Sequence, residues 1–361
     1  MGRNLFRKPF DEGTRDKLKI FEDYLKEWLP VFVARKEIIW EEIKIFDLFA
    51  GEGFDINNTP GSPALIIKAL KDNEELIVKS KVKIKVIINE YDKDKFEILQ
   101  KNLETIADKS IYSIEYYNDD FINVFNLYFD SMKNSANFLF LDQNGIKQIT
   151  EDVFERLINL KQTDFIFFIS SSYIKRFSEL EGFKKYLKIS KQDLEDKSYY
   201  HIHRIVLNYY RSKIPKSKSY FLAPFSIKKP TGIYGLIFGT NHTLGIEKFL
   251  HVCWKHDKLT GEANFDIDNE KIDVKKPKLF EEYNVPNKRQ VFENALKRAI
   301  LNYTLKTDKD VYLFTLNEGF LIKDANKVLK QLSKEKMINI DFKLINSDIH
   351  KIQTPSIIKI N

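Results

Sequence analysis

Apolar residues along this chain keep two rhythms that take turns. Short continuous runs read as buried strands, and between them apolar residues return every three or four positions, as on one face of a helix. The helical rhythm comes first. Leu18, Phe21, Leu25 and Leu29 predict a helix over 14–34, with Thr14 as N-cap and Lys17, Glu22 and Lys26 off the apolar face. Pro30 is expected to bend or end it. A strand through Ile45 and Phe46 then ends at Asp47, and Gly51-Glu52-Gly53 follows. A loop over 54–61 leads to Ser62-Pro63, an N-cap with proline at the first helical position, and Ala64, Leu65, Ile67 and Leu70 carry that helix.

The alternation then repeats. A strand over 84–88 ends at Glu90, and a helix from Asp92 presents Phe96, Leu99, Leu103 and Ile106. A strand over 111–117 closes with Asn118-Asp119-Asp120 before a short helix over 121–132. A strand over 138–141 ends at Asp142-Gln143-Asn144-Gly145, Thr150 caps a helix, and a last run covers 165–169. Strands alternating with helices predict an open, parallel α/β sheet. Ligands of such sheets bind beyond the carboxyl ends of the strands. Asp47, Glu90, Asp119, Asp120 and Asp142 all lie at or just past those ends, and the Gly51-x-Gly53 turn belongs to the same edge. These features predict a cofactor site. The stretch from Gly53 to Glu90 is nearly twice the roughly 20 residues of a dinucleotide fingerprint, which argues against a dehydrogenase.

Beyond 169 the pattern is helical over 174–211. Runs over 220–225 and 233–238 flank Lys228-Lys229-Pro230-Thr231-Gly232 and read as a hairpin. Residues 260–287 are charged and read as a connection. In the tail, Val291, Leu296, Ile300 and Leu301 mark one helix, and Ala325, Val328, Leu329 and Leu332 another. Short strands are expected over 337–345 and 355–360. Helices followed by a β-hairpin suggest a winged helix, or a small α+β cap without a nucleic-acid role. The expected organisation is a domain over 1–258, a connecting segment over 259–287 and a winged-helix-like α+β domain over 288–361.

Composition sharpens this in a few places. The 361 residues carry 59 basic and 52 acidic side chains, a net charge of +7 that permits a nucleic-acid or acidic partner without demanding one. The single cysteine, Cys253, excludes an internal disulfide and any multi-cysteine metal cage. No apolar run reaches the roughly 18 residues of a membrane span and the start lacks a signal-peptide core, so a soluble, cytoplasmic protein is expected. His201 and His203 differ by two, which turns their rings apart on a helix, and no metal site is expected there. Tyr209 and Tyr210 precede Arg211, Lys213, Lys216 and Lys218, a set that could meet phosphates and bases or simply be a solvated loop.

Asp47-Leu48-Phe49-Ala50-Gly51-Glu52-Gly53, with Gly61-Ser62-Pro63 after it, resembles the class I S-adenosylmethionine-dependent methyltransferases. More narrowly it resembles the three-Cys-motif partner (TcmP) family, as do Tyr24-Leu25-Lys26-Glu27-Trp28, Asp120-Phe121-Ile122-Asn123-Val124 and Phe238-Gly239-Thr240-Asn241-His242. The resemblance implies a doubly wound, Rossmann-like methyltransferase sheet whose antiparallel strand comes from the hairpin, and S-adenosylmethionine as cofactor. It implies that Gly51 and Gly53, with Phe49, line the methionine part, that Asp47 orients the turn, and that Glu90, beside Tyr91, accepts from the ribose hydroxyls. Asp119 or Asp120 would meet the adenine amine while the other caps the following helix. Asp142-Gln143-Asn144-Gly145 stands where amino-methyltransferases carry Asp/Asn-Pro-Pro-aromatic and the partner family Asp-Pro-Phe-Gly. Asp142 would accept the target's proton, Gln143 and Asn144 could bind a base edge, and Tyr173 or Phe54 could supply the missing ring. The implied function is N-methylation of a nucleic acid. The alternatives are a catalytically degenerate or nucleic-acid-binding subunit, and a protein methyltransferase. The family's genomic partners suggest a three-cysteine, radical S-adenosylmethionine-like partner protein.

Overall fold

A computed structural model describes residues 8–143, 147–171, 174, 189, 201–230, 232–268, 287–344, 349–351 and 354–361. The chain divides into two compact units, Met1–Asn241 and His242–Asn361.

The first unit is built on one seven-stranded sheet. Its strands are β1 (Glu42–Asp47), β2 (Lys83–Asn89), β3 (Ser113–Tyr117), β4 (Ala136–Leu141), β5 (Thr163–Ile169), β6 (Phe221–Lys229) and β7 (Gly232–Thr240), in the order β3-β2-β1-β4-β5-β7-β6. The first five are mutually parallel, and β7 runs antiparallel between β5 and β6. This is the doubly wound, Rossmann-like methyltransferase sheet. Strands β4 and β5 are buried along their whole length, which is why they read as unbroken apolar runs rather than alternating ones. Register brings the carboxyl ends together: Asp47 lies opposite Ile88 and Phe140, and Asn89 opposite Tyr117. The hairpin's Lys229–Gly232 end meets that same edge, since Ile169 at the end of β5 pairs with Gly235.

Helices α1 (Glu12–Val33), α2 (Ser62–Asp72), α3 (Glu74–Ser80), α4 (Lys93–Glu104), α5 (Phe121–Met132), α6 (Glu151–Asn159) and α7 (Ile202–Ser212) fill the connections. Helix α1 starts earlier than its apolar pattern predicts. Asp11, not Thr14, is the cap, accepting the Thr14 N–H at 2.7 Å. The helix continues through Pro30. Phe21 packs on Phe140, with ring centres 4.3 Å apart, and Tyr24 sits between Phe138 and Phe238. The Tyr24 hydroxyl donates to the buried Asp164 at 2.6 Å, and burial raises that carboxyl's pKa to about 6. Thus α1 closes one face of the sheet with an aromatic layer and a polar anchor.

The second unit holds α8 (Thr243–His256), α9 (Lys288–Leu301), α10 (Asp308–Asn317) and α11 (Ile322–Lys334), with the short antiparallel strands β8 (Ile338–Asn339) and β9 (Lys359–Ile360). An isolated bridge joins Thr307 to Ile357. Helix α8 clusters with this unit. The Trp254 indole donates to the Gly319 carbonyl at 3.0 Å, and Tyr312 to Glu247 at 3.0 Å. Helix α10 is a finding of the structure, fixed by a reciprocal capping box between Thr307 and Asp310. The tail strands are shorter than their apolar runs suggest. The backbone of Leu344 bonds both ways to the Asn326 side chain, at 3.2 and 3.0 Å, where a strand partner would stand.

Candidate functional site

Asp47 ends β1 and is fully buried. It accepts from the Phe49 N–H at 3.4 Å, within the turn that follows the strand. Its other oxygen has no partner. Burial pushes its pKa up to about 7, and the nearby carboxylates of Asp142 and Glu90 add to the shift.

The turn bends through Gly51 at φ 65° and Gly53 at φ 85°, conformations that side chains with a Cβ rarely adopt. Gly53 also takes the Gly61 N–H on its carbonyl at 2.8 Å, and a Cβ on Gly61 would stand 3.0 Å from that oxygen. A Cβ on Gly53 would meet Leu99 of α4 at 3.3 Å. Gly53 is thus required by chain geometry and by packing against α4. Phe49 is half-buried and stacks on Phe121 at 5.2 Å.

Glu90 follows β2. One carboxylate oxygen accepts the Gly51 N–H at 2.8 Å, and the other the Asp92 N–H at 3.0 Å. Each oxygen keeps a further lone pair, which suits a pair of ribose hydroxyls. Tyr91 beside it is 74% exposed and forms part of the outer rim. Asp120 caps α5 by accepting the Ile122 N–H at 3.0 Å. Asp119 accepts from the Asp120 N–H at 2.6 Å and from the Asn123 amide at 2.8 Å, and remains exposed at the rim. Of the two acids, then, Asp120 is the cap.

Sequence reasoning passed over Asn89. Its buried amide donates to the carbonyls of Leu48 and Asp119, at 3.2 and 3.1 Å, and accepts the Asp119 N–H at 3.2 Å. One side chain thereby staples the segments that leave β1, β2 and β3. A polar residue closing an otherwise apolar strand was the available signal.

The end of β4 departs further from expectation. Asp142 pairs with Lys17, and the Lys17 ammonium lies 4.7 Å from the centre of the Phe168 ring. Lys17 is only 6% exposed and Glu22 8%, so these two, expected off the apolar face of α1, are buried with it. The signal was present: Lys17 stands four residues before Phe21, in line with the apolar row. Lys229 at the hairpin end joins the same ring at 5.2 Å and donates to the Thr14 hydroxyl at 2.9 Å. Burial, and then the charge of Lys17, lower its pKa to about 8. Two ammonium groups and one carboxylate thus line the end of β4 and β5.

Gln143 is turned inward and 2% exposed. Its carbonyl accepts the N–H groups of Gln148 and Ile149 at 2.9 and 3.4 Å, while its amide nitrogen is buried without a partner. It braces a loop that lacks the expected proline, so it is not presented to a base edge. Asn144, Gly145 and Tyr173 lie outside the described residues.

The basic loop after α7 is largely engaged locally. Arg211 donates to the Leu222 carbonyl at 3.0 Å, Lys213 pairs with Glu151 at 3.1 Å, and Lys218 donates to the Ile158 carbonyl at 2.8 Å. Lys216 is exposed and forms no ion pair among the described residues. Nor, among those residues, is any helix long and apolar enough to cross a membrane.

No protein-family model matches the chain, and no curated protein matches it. Solved methyltransferase structures do resemble it. Trm1 from Pyrococcus horikoshii with S-adenosyl-L-methionine is 11% identical, with a TM-score of 0.37 over 68% of this chain and 62% of that one. This chain therefore spans less than two thirds of that protein. The O-methyltransferase from Bacillus cereus in complex with SAH is 13% identical, with a TM-score of 0.34 over 64% of this chain and 91% of that one. The METTL16 methyltransferase domain is 10% identical, with a TM-score of 0.31 over 62% and 83%. At such values no property of those proteins passes to this chain, whose architecture rests on its own strand order and register.

Proposed function

We propose that the first unit binds S-adenosylmethionine and transfers its methyl group to a nitrogen of a nucleic acid. The observation that carries the cofactor half is Glu90. It is fixed through backbone N–H groups on both sides and keeps acceptor capacity for a diol, next to a glycine turn tied to the N-terminus of α2. Those residues fit the group: Glu90 would hold the ribose, Asp119 the adenine amine, and the Gly51–Gly53 turn the methionine part. When bound, the cofactor supplies an electrophilic methyl carbon.

Asp142 is the acceptor for a target amine, placed at the end of β4 and part-exposed. The Lys17 ammonium pairs with that carboxylate and holds its orientation, and positioning supplies most of the rate in such transfers. A base in a duplex would have to be flipped out to reach it. In the same reading the second unit is a winged helix, supported by helices α9 to α11, the β8–β9 pair and the Thr307–Ile357 bridge.

A second reading, a binding subunit that keeps the fold without transfer, draws on two observations. Asp142 is already paired, and Gln143 is turned away. Calorimetry with S-adenosylmethionine, followed by transfer of labelled methyl to DNA, RNA and protein, separates the two. Cofactor binding without label in any acceptor leaves the subunit reading. Absence of cofactor binding removes the methyltransferase reading and leaves a subunit that keeps only the fold.

A further inference from the structure

Helix α11 in the second unit carries a charge pattern that no internal contact explains. Its inward face, Ile322, Ala325, Val328, Leu329 and Leu332, is buried. Its outward face carries Lys323, Lys327, Lys330 and Lys334, all exposed. Their spacing of four, three and four residues places them within an arc of about 60°, along a row about 16 Å long. Lys327 pairs with Asp324 at 3.5 Å, whereas Lys323, Lys330 and Lys334 form no ion pair among the described residues.

The acids nearby are directed elsewhere. Asp324 is 1% exposed and also takes Arg289, and Glu335 takes Lys297 and the Gln331 amide. Like charges three and four apart destabilise an isolated helix by some tenths of a kcal/mol per pair. Here they accumulate on one face, and among the described residues Lys327 alone of the four has an acidic partner. Such a row is complementary to a line of phosphates.

We infer that the α11 lysine row docks on the phosphate backbone of duplex DNA, with the helix lying along the major groove. The inference rests on the nucleic-acid part of the reading above and not on methyl transfer. A helix about 10–12 Å across matches the groove of B-form DNA, about 12 Å wide, whereas the major groove of A-form RNA is deep and narrow. Contacts from such a row to phosphate oxygens position the protein without reading sequence.

The test uses the full chain and a labelled DNA duplex of arbitrary sequence, with anisotropy followed over a salt series. Replacing Lys323, Lys330 and Lys334 together by Gln keeps helix propensity nearly constant. The slope of log affinity against log salt should become shallower by about 3, with at least about a tenfold loss of affinity at low salt. Lys216→Gln should change the slope by less than about 1. An unchanged slope and affinity in the triple variant, with its melting curve unaltered, overturns the inference. So does tighter binding of an RNA duplex than of the DNA duplex. Cofactor binding by the wild type without any DNA binding also overturns it, and leaves the cofactor site standing.

Discussion

Replacing Asp142 by Ala tests whether the β4 end is organised by the Lys17 pair. Lys17 is 6% exposed and faces the Phe168 ring, with Lys229 nearby. Removing the carboxylate would leave two ammonium groups on one ring with no counter-charge. Deleting one partner of a buried pair costs roughly 3–5 kcal/mol. The Asp142 side chain keeps 23% exposure, which lets water compensate in part. The expected loss is therefore about 2–3 kcal/mol. For a unit of this size each kcal/mol moves the midpoint by about 2–4 °C, so thermal unfolding should shift down by about 5–10 °C. Adding Lys17→Met should recover most of that shift, giving a coupling of at least about 1 kcal/mol in the double-mutant cycle. Cofactor affinity should hardly move. In a transfer assay Asp142→Ala should lose activity, while Lys17→Met should lower it without abolishing it, since the acceptor remains but is no longer held in place. An Asp142→Ala midpoint equal to wild type, or strict additivity of the two changes, would refute the reasoning.

Three further outcomes follow from the site. Glu90→Ala should weaken S-adenosylmethionine binding by about 1.5–3 kcal/mol in calorimetry, and equal binding would remove Glu90 from the site. Asp47 has a folded pKa raised to about 7, so its contribution to stability is complete below about pH 4 and is lost as pH rises through 7. Asp47→Asn should therefore stabilise the protein at pH 8 relative to wild type and much less at pH 4, as read from denaturant midpoints. A constant difference across that range would show that burial does not set its protonation. Asp120→Ala should cost about 0.5–2 kcal/mol through loss of the α5 cap, while Asp119→Ala leaves stability nearly unchanged and weakens cofactor binding. The reverse pattern would exchange their roles.

The sheet was legible because its central strands are buried on both faces, so β4 and β5 appear as unbroken apolar runs, each punctuated by a helix. The edge rich in acids and glycines was legible for a related reason: such residues are conspicuous at the ends of apolar runs. Side chains that act across long sequence distances were not. Lys17 and Asp142 are 125 residues apart, and nothing local in either segment announces the pair. Gln143 was misjudged because an amide next to an acid looks like a recognition group, whereas its neighbours lack a proline and need a brace. Helix α10 did carry a signal in Thr307 and Asp310, three apart. Its apolar positions, Val311, Tyr312, Thr315 and Leu316, include a threonine that blurs the stripe.

The double anchoring of Glu90 has a thermodynamic consequence. A free glutamate at a binding site is mobile, and immobilising such a side chain on association costs about 0.5–1.5 kcal/mol. Here the N–H groups of Gly51 and Asp92 have already fixed the carboxylate, so that entropy is lost when the chain folds rather than when a ligand arrives. The acid is preorganised. Loosening the Asp92 side of that anchor would return the cost to the binding step, an affinity loss of up to about tenfold, without touching the glycine turn or the carboxylate itself.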